Sequence, residues 1–104
     1  MLLNATEPSS SPRDLNEKLA FESVKSNPKQ GKNLIGMNND PRFPHSAGFQ
    51  KMEAKFKLSN GETITIHYQY NSVTNRTYDV KVTSPQRNLP NPNQPFVDIR
   101  NNQK

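Results

Sequence analysis

The second half of this chain contains three runs in which apolar and polar residues alternate strictly, and this pattern constrains the fold more than any other feature. The runs cover residues 50–58, 63–70 and 77–83. Their apolar positions are Met52, Ala54, Phe56, Leu58, Ile64, Ile66, Tyr68, Tyr70, Tyr78, Val80 and Val82. Successive side chains point to opposite faces of a strand, so each run predicts a strand with one apolar and one polar face. Three such strands in succession predict an antiparallel meander.

The loop between the first two runs is short enough to predict their register. A two-residue turn would place an apolar side chain opposite a polar one. A three-residue loop over residues 59–61, with its glycine left-handed, instead pairs Phe56 with Ile64 and keeps the apolar side chains on one face. The same register places His67 opposite Glu53.

The second loop is longer, and we predict its register by pairing Tyr70 with Tyr78. This pairing keeps both tyrosines on the apolar face and places His67 opposite Lys81. It also places Gln69 opposite Asp79 and Thr65 opposite Thr83. Side chains from all three strands then meet on one polar face.

The N-terminal part of the chain predicts one amphipathic helix. Ser11 is the predicted N-cap, with Pro12 in the first helical position and Asp14 completing a capping box. An apolar stripe follows at Leu15, Leu19, Ala20 and Val24. The helix is predicted to end at Asn27, because the proline that follows disfavours a helical conformation there. We therefore expect an α+β fold, with an N-terminal helix packed on an antiparallel three- to four-stranded meander sheet.

The remaining segments are rich in proline and asparagine, which are typical of loops and loose ends. We expect a disordered lead-in over residues 1–10, a single domain over residues 11–100 and a disordered tail over residues 101–104. Short strands are predicted at residues 33–35 and at the apolar group Phe96, Val97 and Ile99. Phe43 is predicted to anchor the long loop before the first alternating run to the core.

The charge of the chain favours a polyanionic partner such as nucleic acid, because the net charge is +5 and the isoelectric point is near 9.7. Without cysteine, the chain cannot form a disulfide, a zinc–thiolate site or a cysteine nucleophile. No apolar stretch reaches the roughly 20 residues of a membrane-spanning helix. The start Met1-Leu2-Leu3 turns polar at Asn4 and does not predict a signal peptide. If the protein is exported, we expect the signal to lie on a longer parent chain.

The predicted polar face combines one histidine with several cations. Its members are Lys51, Lys55, Lys57, His67, Lys81, Glu53, Thr65, Thr83 and Gln69, with Arg87 just beyond the third strand. Cations can hold a phosphodiester while an imidazole or a carboxylate moves a proton. RNA supplies its own nucleophile, the 2′-hydroxyl, so its cleavage requires only a base, an acid and cationic groups. The face therefore predicts a metal-independent ribonuclease that needs no cofactor.

Roles can be assigned to these residues from their chemistry. His67 is predicted as general acid or general base. Glu53 is a further candidate for proton transfer, and so is His45 if its loop folds over the face. Phosphate contacts are predicted for Lys55, Lys81 and Arg87, with Thr83 in support, and further RNA contacts for Lys51, Lys57, Arg42 and Gln69. Two histidines without a ligand spacing do not predict a metal site.

Other functions stay open at this point. An exposed histidine and alternating lysines are also typical of an ordinary solvated strand. The same face could belong to a non-catalytic basic module that binds nucleic acid or an acidic partner protein. A phage or plasmid accessory protein that binds another protein is a third class. DNA cleavage is less favoured, because metal-dependent nucleases carry clusters of acidic or histidine ligands.

Four segments within residues 27–87 carry a resemblance to known proteins. They are Asn39-Asp40-Pro41-Arg42-Phe43-Pro44, Gly48-Phe49-Gln50-Lys51-Met52, Ile66-His67-Tyr68-Gln69-Tyr70-Asn71 and Tyr78-Asp79-Val80-Lys81. This pattern resembles the C-terminal modules of bacterial polymorphic toxins, including the effectors of contact-dependent growth inhibition. The resemblance implies an antiparallel sheet of the barnase/EndoU/colicin/RelE-like kind, whose open face cleaves RNA, frequently transfer RNA.

The same resemblance implies a biological setting. Such a module is secreted as part of a larger protein and acts in the cytoplasm of the target cell. A cognate immunity protein, expected to be acidic, would cover the polar face, and we expect the module itself to be a monomer. Because this group of toxins has no fixed catalytic set, the resemblance indicates a face, and the assignment of His67 depends on the predicted register.

Overall fold

The structure, a computed structural model, describes residues 8–85 and, for the backbone alone, residues 99–101. Its elements are α1 (Leu15–Ser26), a 3₁₀ turn at Pro28–Gln30, β1 (Lys32–Asn33), a second 3₁₀ turn at His45–Ala47, β2 (Phe49–Leu58), β3 (Thr63–Asn71), β4 (Arg76–Val82) and β5 (Ile99–Asn101). The three long strands follow the three alternating runs to within one residue at each end, which confirms the strand predictions.

The sheet is built around the antiparallel meander of β2, β3 and β4. The outer edge of β2 pairs with two short strands, β1 at Met52 and Glu53 and β5 further along at Phe56, Lys57 and Leu58. The helix α1 packs against β3 and β4. The predicted α+β architecture is therefore confirmed.

Two short strands differ in position from their predictions. The strand predicted at residues 33–35 is found at Lys32–Asn33, because the chain turns at Leu34, whose carbonyl accepts the N–H of Met37. Ile99 begins β5, whereas Phe96 and Val97 lie outside the described residues.

The apolar side of the alternation builds the core. The buried apolar residues are Ala20, Phe21 and Val24 of α1 and Met52, Ala54, Phe56, Leu58, Ile64, Ile66, Tyr68, Tyr70 and Val82 of the sheet. Val80 packs against this cluster and stays partly exposed. The opposite face of the sheet is therefore free to carry polar side chains.

The start of α1 differs from the prediction. The N-cap is Asp14, whose side chain accepts the N–H of Glu17, and the helix begins at Leu15 rather than after Ser11. The reason is local, because Asp14 is itself a favourable N-cap residue and the helix starts at the cap it provides, three residues after Ser11. Before the helix, Ser9 exchanges two backbone hydrogen bonds of 2.9 and 2.8 Å with Val82.

The buried face of α1 also differs from the predicted stripe. Leu19 is 40% exposed and Leu15 is partly exposed, whereas Asn16 and Glu17 are buried together with Ala20, Phe21 and Val24. Burial of Glu17 is possible because the Arg13 guanidinium holds its carboxylate at 2.8 Å. The helix therefore packs against the sheet with a face that its pattern of apolar residues does not predict.

The first hairpin has the predicted register. Phe56 pairs with Ile64 and Glu53 with His67, and the Leu58 N–H donates to the Glu62 carbonyl at 2.8 Å. Gly61 adopts φ +92°, a conformation that glycine reaches without the steric cost of a Cβ atom. The three-residue loop is confirmed.

The second hairpin has the predicted register on only one side of a β-bulge. His67 pairs with Lys81 as predicted, and the Thr83 N–H donates to the Thr65 carbonyl at 2.9 Å. Beyond the bulge, however, the partners are Gln69 with Tyr78, Tyr70 with Thr77 and Asn71 with Arg76. The predicted pairs of Gln69 with Asp79 and of Tyr70 with Tyr78 are therefore wrong.

The cause of this shift lies in the loop. The Asn71 side-chain oxygen accepts the N–H groups of Val73 and Thr74 at 2.8 and 3.1 Å, which closes a compact four-residue turn. This turn displaces the register by one residue, and Asp79 absorbs the displacement in a left-handed conformation with φ +52°. Tyr78 consequently shares a face with Gln69, on the polar side of the sheet.

Tyr68 connects the sheet to the turn that follows α1. Its buried hydroxyl donates to the Pro28 carbonyl at 2.7 Å and accepts the Gly31 N–H at 3.1 Å. A Cβ atom at position 31 would lie 2.5 Å from that hydroxyl oxygen and 3.0 Å from the Glu53 carbonyl oxygen, so only glycine fits there. Burial raises the pKa of Tyr68 to about 12.

Replacing Tyr68 by phenylalanine is expected to lower the free energy of unfolding by about 1–3 kcal/mol, because two buried backbone groups lose their partner. Urea unfolding measures the change. Tyr78→Phe is the matched control, since its hydroxyl contacts Thr74 at an exposed position and its loss is expected to cost less than about 0.5 kcal/mol. Equal midpoints for the two variants would contradict the prediction.

Because its pKa is raised on folding, Tyr68 contributes stability that is complete below pH 10 and is lost as the pH rises through about 12.

Candidate active site

The face of the sheet opposite α1, here called the polar face, carries the side chains that alternate with the core residues. It divides into two halves along the strands. The loop of residues 34–48 covers one half, near Phe49 and Asn71. The other half, here called the open half, is not covered by this loop, and its side chains come from Glu53, Lys55, Lys57, Thr63, Thr65, His67 and Lys81.

A carboxylate and an imidazole meet in the open half. Glu53 on β2 and His67 on β3 are paired directly across the two strands, and Glu53 Oε2 lies 3.0 Å from His67 Nε2. Their side chains are 21% and 23% exposed, so both are held in place yet accessible from solvent. Two groups able to accept and donate a proton therefore stand within hydrogen-bonding distance on the rigid central strands of the sheet.

Two lysines flank this pair. Lys55 Nζ lies 3.9 Å from the other oxygen of Glu53, and Lys81 is the partner of His67 on β4. The Lys81 ammonium lies 3.3 Å from Asp79 Oδ2 and its side chain is 33% exposed. An anion that approached the imidazole would thus have a cation on either side.

Hydrogen bonds, an ion pair and ring contacts hold the loop of residues 34–48 on the polar face. The Gln69 side-chain amide donates to Asn38 Oδ1 at 3.1 Å, and the Arg42 guanidinium lies 3.4 Å from Asp79. The Phe43 ring packs on those of Phe49 and Tyr78, with centroids 5.1 and 6.3 Å apart. Phe43 therefore anchors the loop as predicted, but to an aromatic cluster on the polar face instead of the main core.

The loop does not bring His45 to the Glu53–His67 pair. His45 is exposed and opens the 3₁₀ turn whose end joins Phe49, where the Pro44 carbonyl accepts the N–H of Ala47. Glu53 lies four residues further along β2, about 13 Å away at the rise of a strand. The loop does fold over part of the polar face, but among the described residues no hydrogen bond or ion pair joins the His45 side chain to Glu53 or His67.

The other predicted residues lie at different distances from the pair. Gln69 is 4% exposed beneath the loop, and Lys51, its partner on β2, is partly exposed beside it. Lys57 is exposed at the hairpin end of β2. Thr83 follows β4 two residues after Lys81, and Arg87 lies outside the described residues.

Sequence reasoning missed two contributors to this face. Tyr78 was assigned to the core and Asp79 received no role, because the run of residues 77–83 alternates without a defect. Aspartate is one of the few residues that enter the left-handed region readily, and this is the only local sign that Asp79 can form a bulge. Its carboxylate joins Arg42 of the loop to Lys81 of the sheet.

Within residues 8–85, no three histidine, aspartate or glutamate side chains converge as a metal site would require. Among the described residues, no helix has the length and apolarity needed to cross a membrane. Comparisons with protein-family models, with curated proteins and with solved structures find no match for this chain.

Proposed function

We propose that this protein is a metal-independent endoribonuclease that acts as a secreted antibacterial toxin domain, with transfer RNA as its target. The observation that carries the proposal is the 3.0 Å contact between Glu53 and His67, flanked by Lys55 and Lys81 on an open face. The net charge of +5 supports a polyanionic substrate.

The chemistry needs one base and one acid, and the pair offers both. In the proposed reaction Glu53 takes the proton of the RNA 2′-hydroxyl, and the 2′-oxygen attacks the adjacent phosphorus. His67 donates a proton to the departing 5′-oxygen as its bond to phosphorus breaks. The products are a 2′,3′-cyclic phosphate and a free 5′-hydroxyl, so atoms and protons balance without a further reactant.

The lysines have a separate role in this proposal. Negative charge accumulates on the non-bridging phosphate oxygens as the 2′-oxygen bonds to phosphorus. Lys81 and Lys55 stand on either side of His67 and Glu53, where their charges would stabilise that transition state. Thr83 and Arg87 are retained as supporting groups, and Lys57 as a contact to the RNA backbone.

The toxin setting follows from the resemblance to polymorphic toxin modules described above. In that setting the domain would be delivered on a larger secreted protein and would act in the cytoplasm of the target cell. An acidic immunity protein would match the excess of lysine over carboxylate on the open half of the polar face. Binding there would cover Glu53 and His67 together.

The experiment that tests the activity incubates the purified chain in EDTA with total bacterial RNA and, in parallel, with DNA. RNA fragments that end in 2′,3′-cyclic phosphate, with intact DNA, are the expected result, because the mechanism uses the 2′-hydroxyl. A His67→Ala preparation purified in the same way controls for contaminating ribonucleases. Intact RNA would contradict the enzymatic proposal, and RNA binding without cleavage would favour a non-catalytic basic module.

A further inference from the structure

The Arg42 side chain is held by carboxylates and by an aromatic ring, yet most of it is exposed to solvent. Its Nε and Nη2 atoms donate to the Asp40 carboxylate at 3.0 and 2.6 Å, and Nη2 also lies 3.4 Å from Asp79. The guanidinium carbon sits over the Phe43 ring, 5.0 Å from its centre. The side chain is nevertheless 64% exposed. A planar cation is thus fixed in position while most of its surface faces solvent.

The support beneath this cation is rigid. Phe43 packs edge-on against Phe49, and Phe49 in turn packs edge-on against Tyr78, with centroid distances of 5.1 and 5.3 Å. Asp40 is fixed as well, because its carbonyl accepts the Phe43 N–H and its side chain accepts the Arg42 N–H, both at 3.0 Å. The hydrogen bonds from Arg42 lower the pKa of Asp40 to about 2, so the carboxylate remains ionised at neutral pH.

The same cation stands beside the candidate active site. Asp79 Oδ2 contacts both Arg42 Nη2, at 3.4 Å, and Lys81 Nζ, at 3.3 Å, so the two cationic groups are neighbours. Lys81 is in turn the strand partner of His67. A phosphate bound by Lys81 would therefore be separated from Arg42 only by the Asp79 carboxylate that both cations contact.

We propose that the Arg42 guanidinium, stacked on Phe43, is the platform for an unpaired nucleobase next to the phosphate that is cleaved. This inference rests on the proposed ribonuclease function and specifies its substrate as single-stranded RNA, such as a loop or an end. Bases that are free of a duplex stack on arginine planes and aromatic rings, whereas bases within a duplex are not available to them. Stacking of this kind tolerates any base, so the platform selects strandedness rather than sequence.

The test uses a single-stranded oligonucleotide that carries 2-aminopurine and lacks 2′-hydroxyls, so that it binds but cannot be cleaved. Stacking quenches 2-aminopurine fluorescence. Wild type is expected to quench it, and Arg42→Lys, which keeps the charge but removes the plane, is expected to lose the quench and about tenfold in affinity. Asp40→Asn, which keeps the acceptor for the Arg42 N–H and releases the guanidinium, is expected to weaken the quench. Lys57→Gln is the control, since it removes a charge away from the platform and should lower affinity without changing the quench.

The possible results of these experiments distinguish failure of the stacking proposal from failure of the ribonuclease proposal. Equal quenching by wild type and Arg42→Lys, or equal affinity for the duplex form of the probe, would overturn the platform. RNA cleavage that persists in Arg42→Lys with unchanged KM would likewise overturn the platform and leave the ribonuclease standing. Quenching that depends on Arg42 in a protein that cleaves no RNA would show a base-stacking site at Arg42 but would refute the ribonuclease, and with it the placement of that site beside a cleaved phosphate.

Discussion

Replacing His67 by alanine is expected to lower the rate of RNA cleavage by about 10²–10⁴-fold, the contribution typical of a positioned acid or base. The affinity for RNA should change little, because His67 is one side chain among several cations on an open face. Initial rates and filter binding on the same RNA, both in EDTA, separate the two effects. An equal loss of rate and affinity would contradict a role in proton transfer.

Two further variants sharpen this prediction. Glu53→Gln keeps the shape and the hydrogen-bonding reach of the side chain but removes its ability to take a proton, so a loss of similar size is expected. His45→Ala is the matched histidine control, and its rate should stay near that of wild type because His45 lies at the Phe49 end of β2. A large effect at His45 with none at His67 would refute the site proposed on the open half of the polar face.

Replacing Arg13 by methionine is expected to reduce the free energy of unfolding by about 3–5 kcal/mol, because the buried Glu17 carboxylate would lose its cationic partner. Glu17 is 1% exposed, and Arg13 binds both of its oxygens through Nε and Nη2 while also donating to the Ser84 carbonyl at 2.9 Å. A loss of this size is a large fraction of the stability of a small domain. Urea unfolding followed by circular dichroism measures it.

The reference variants for this prediction change residues in α1 or directly before it. Lys18→Met removes an exposed cation and is expected to change stability by less than about 0.5 kcal/mol. The double variant Arg13→Met/Glu17→Leu removes both charges and is expected to recover much of the loss, since an apolar pair of similar volume avoids the desolvation cost. A single variant no less stable than the double would show that the ion pair is not what holds Glu17 in the core.

The three long strands and the register of the first hairpin could be predicted because they depend on local sequence patterns. Alternation at period two marks β2, β3 and β4 directly, and the three-residue loop before Glu62 allows only one arrangement that keeps Phe56 and Ile64 on the same side. The pairing of Glu53 with His67 follows from that register alone. The juxtaposition of Glu53 and His67 could therefore be predicted from the sequence.

The bulge at Asp79 and the position of the loop of residues 34–48 could not be predicted from the sequence. The run of residues 77–83 fits an uninterrupted strand, and the displacement at Asp79 arises from the turn that the Asn71 side chain closes. The fastening of Arg42 to Asp79, and of Phe43 to Phe49 and Tyr78, joins segments distant along the chain. Contacts of this kind cannot be predicted from local sequence patterns.

The pattern of the sequence was enough to predict the three long strands, the core side chains of β2 and β3, the first hairpin and the juxtaposition of Glu53, His67 and Lys81. Which face α1 buries and which half of the polar face the loop of residues 34–48 covers depend on contacts between distant segments. Arg13 binds the buried Glu17 carboxylate and also donates to the Ser84 carbonyl. The bond from Arg13 to Ser84 joins segments far apart in the sequence, so the apolar stripe of the helix alone did not predict that Glu17 would be buried.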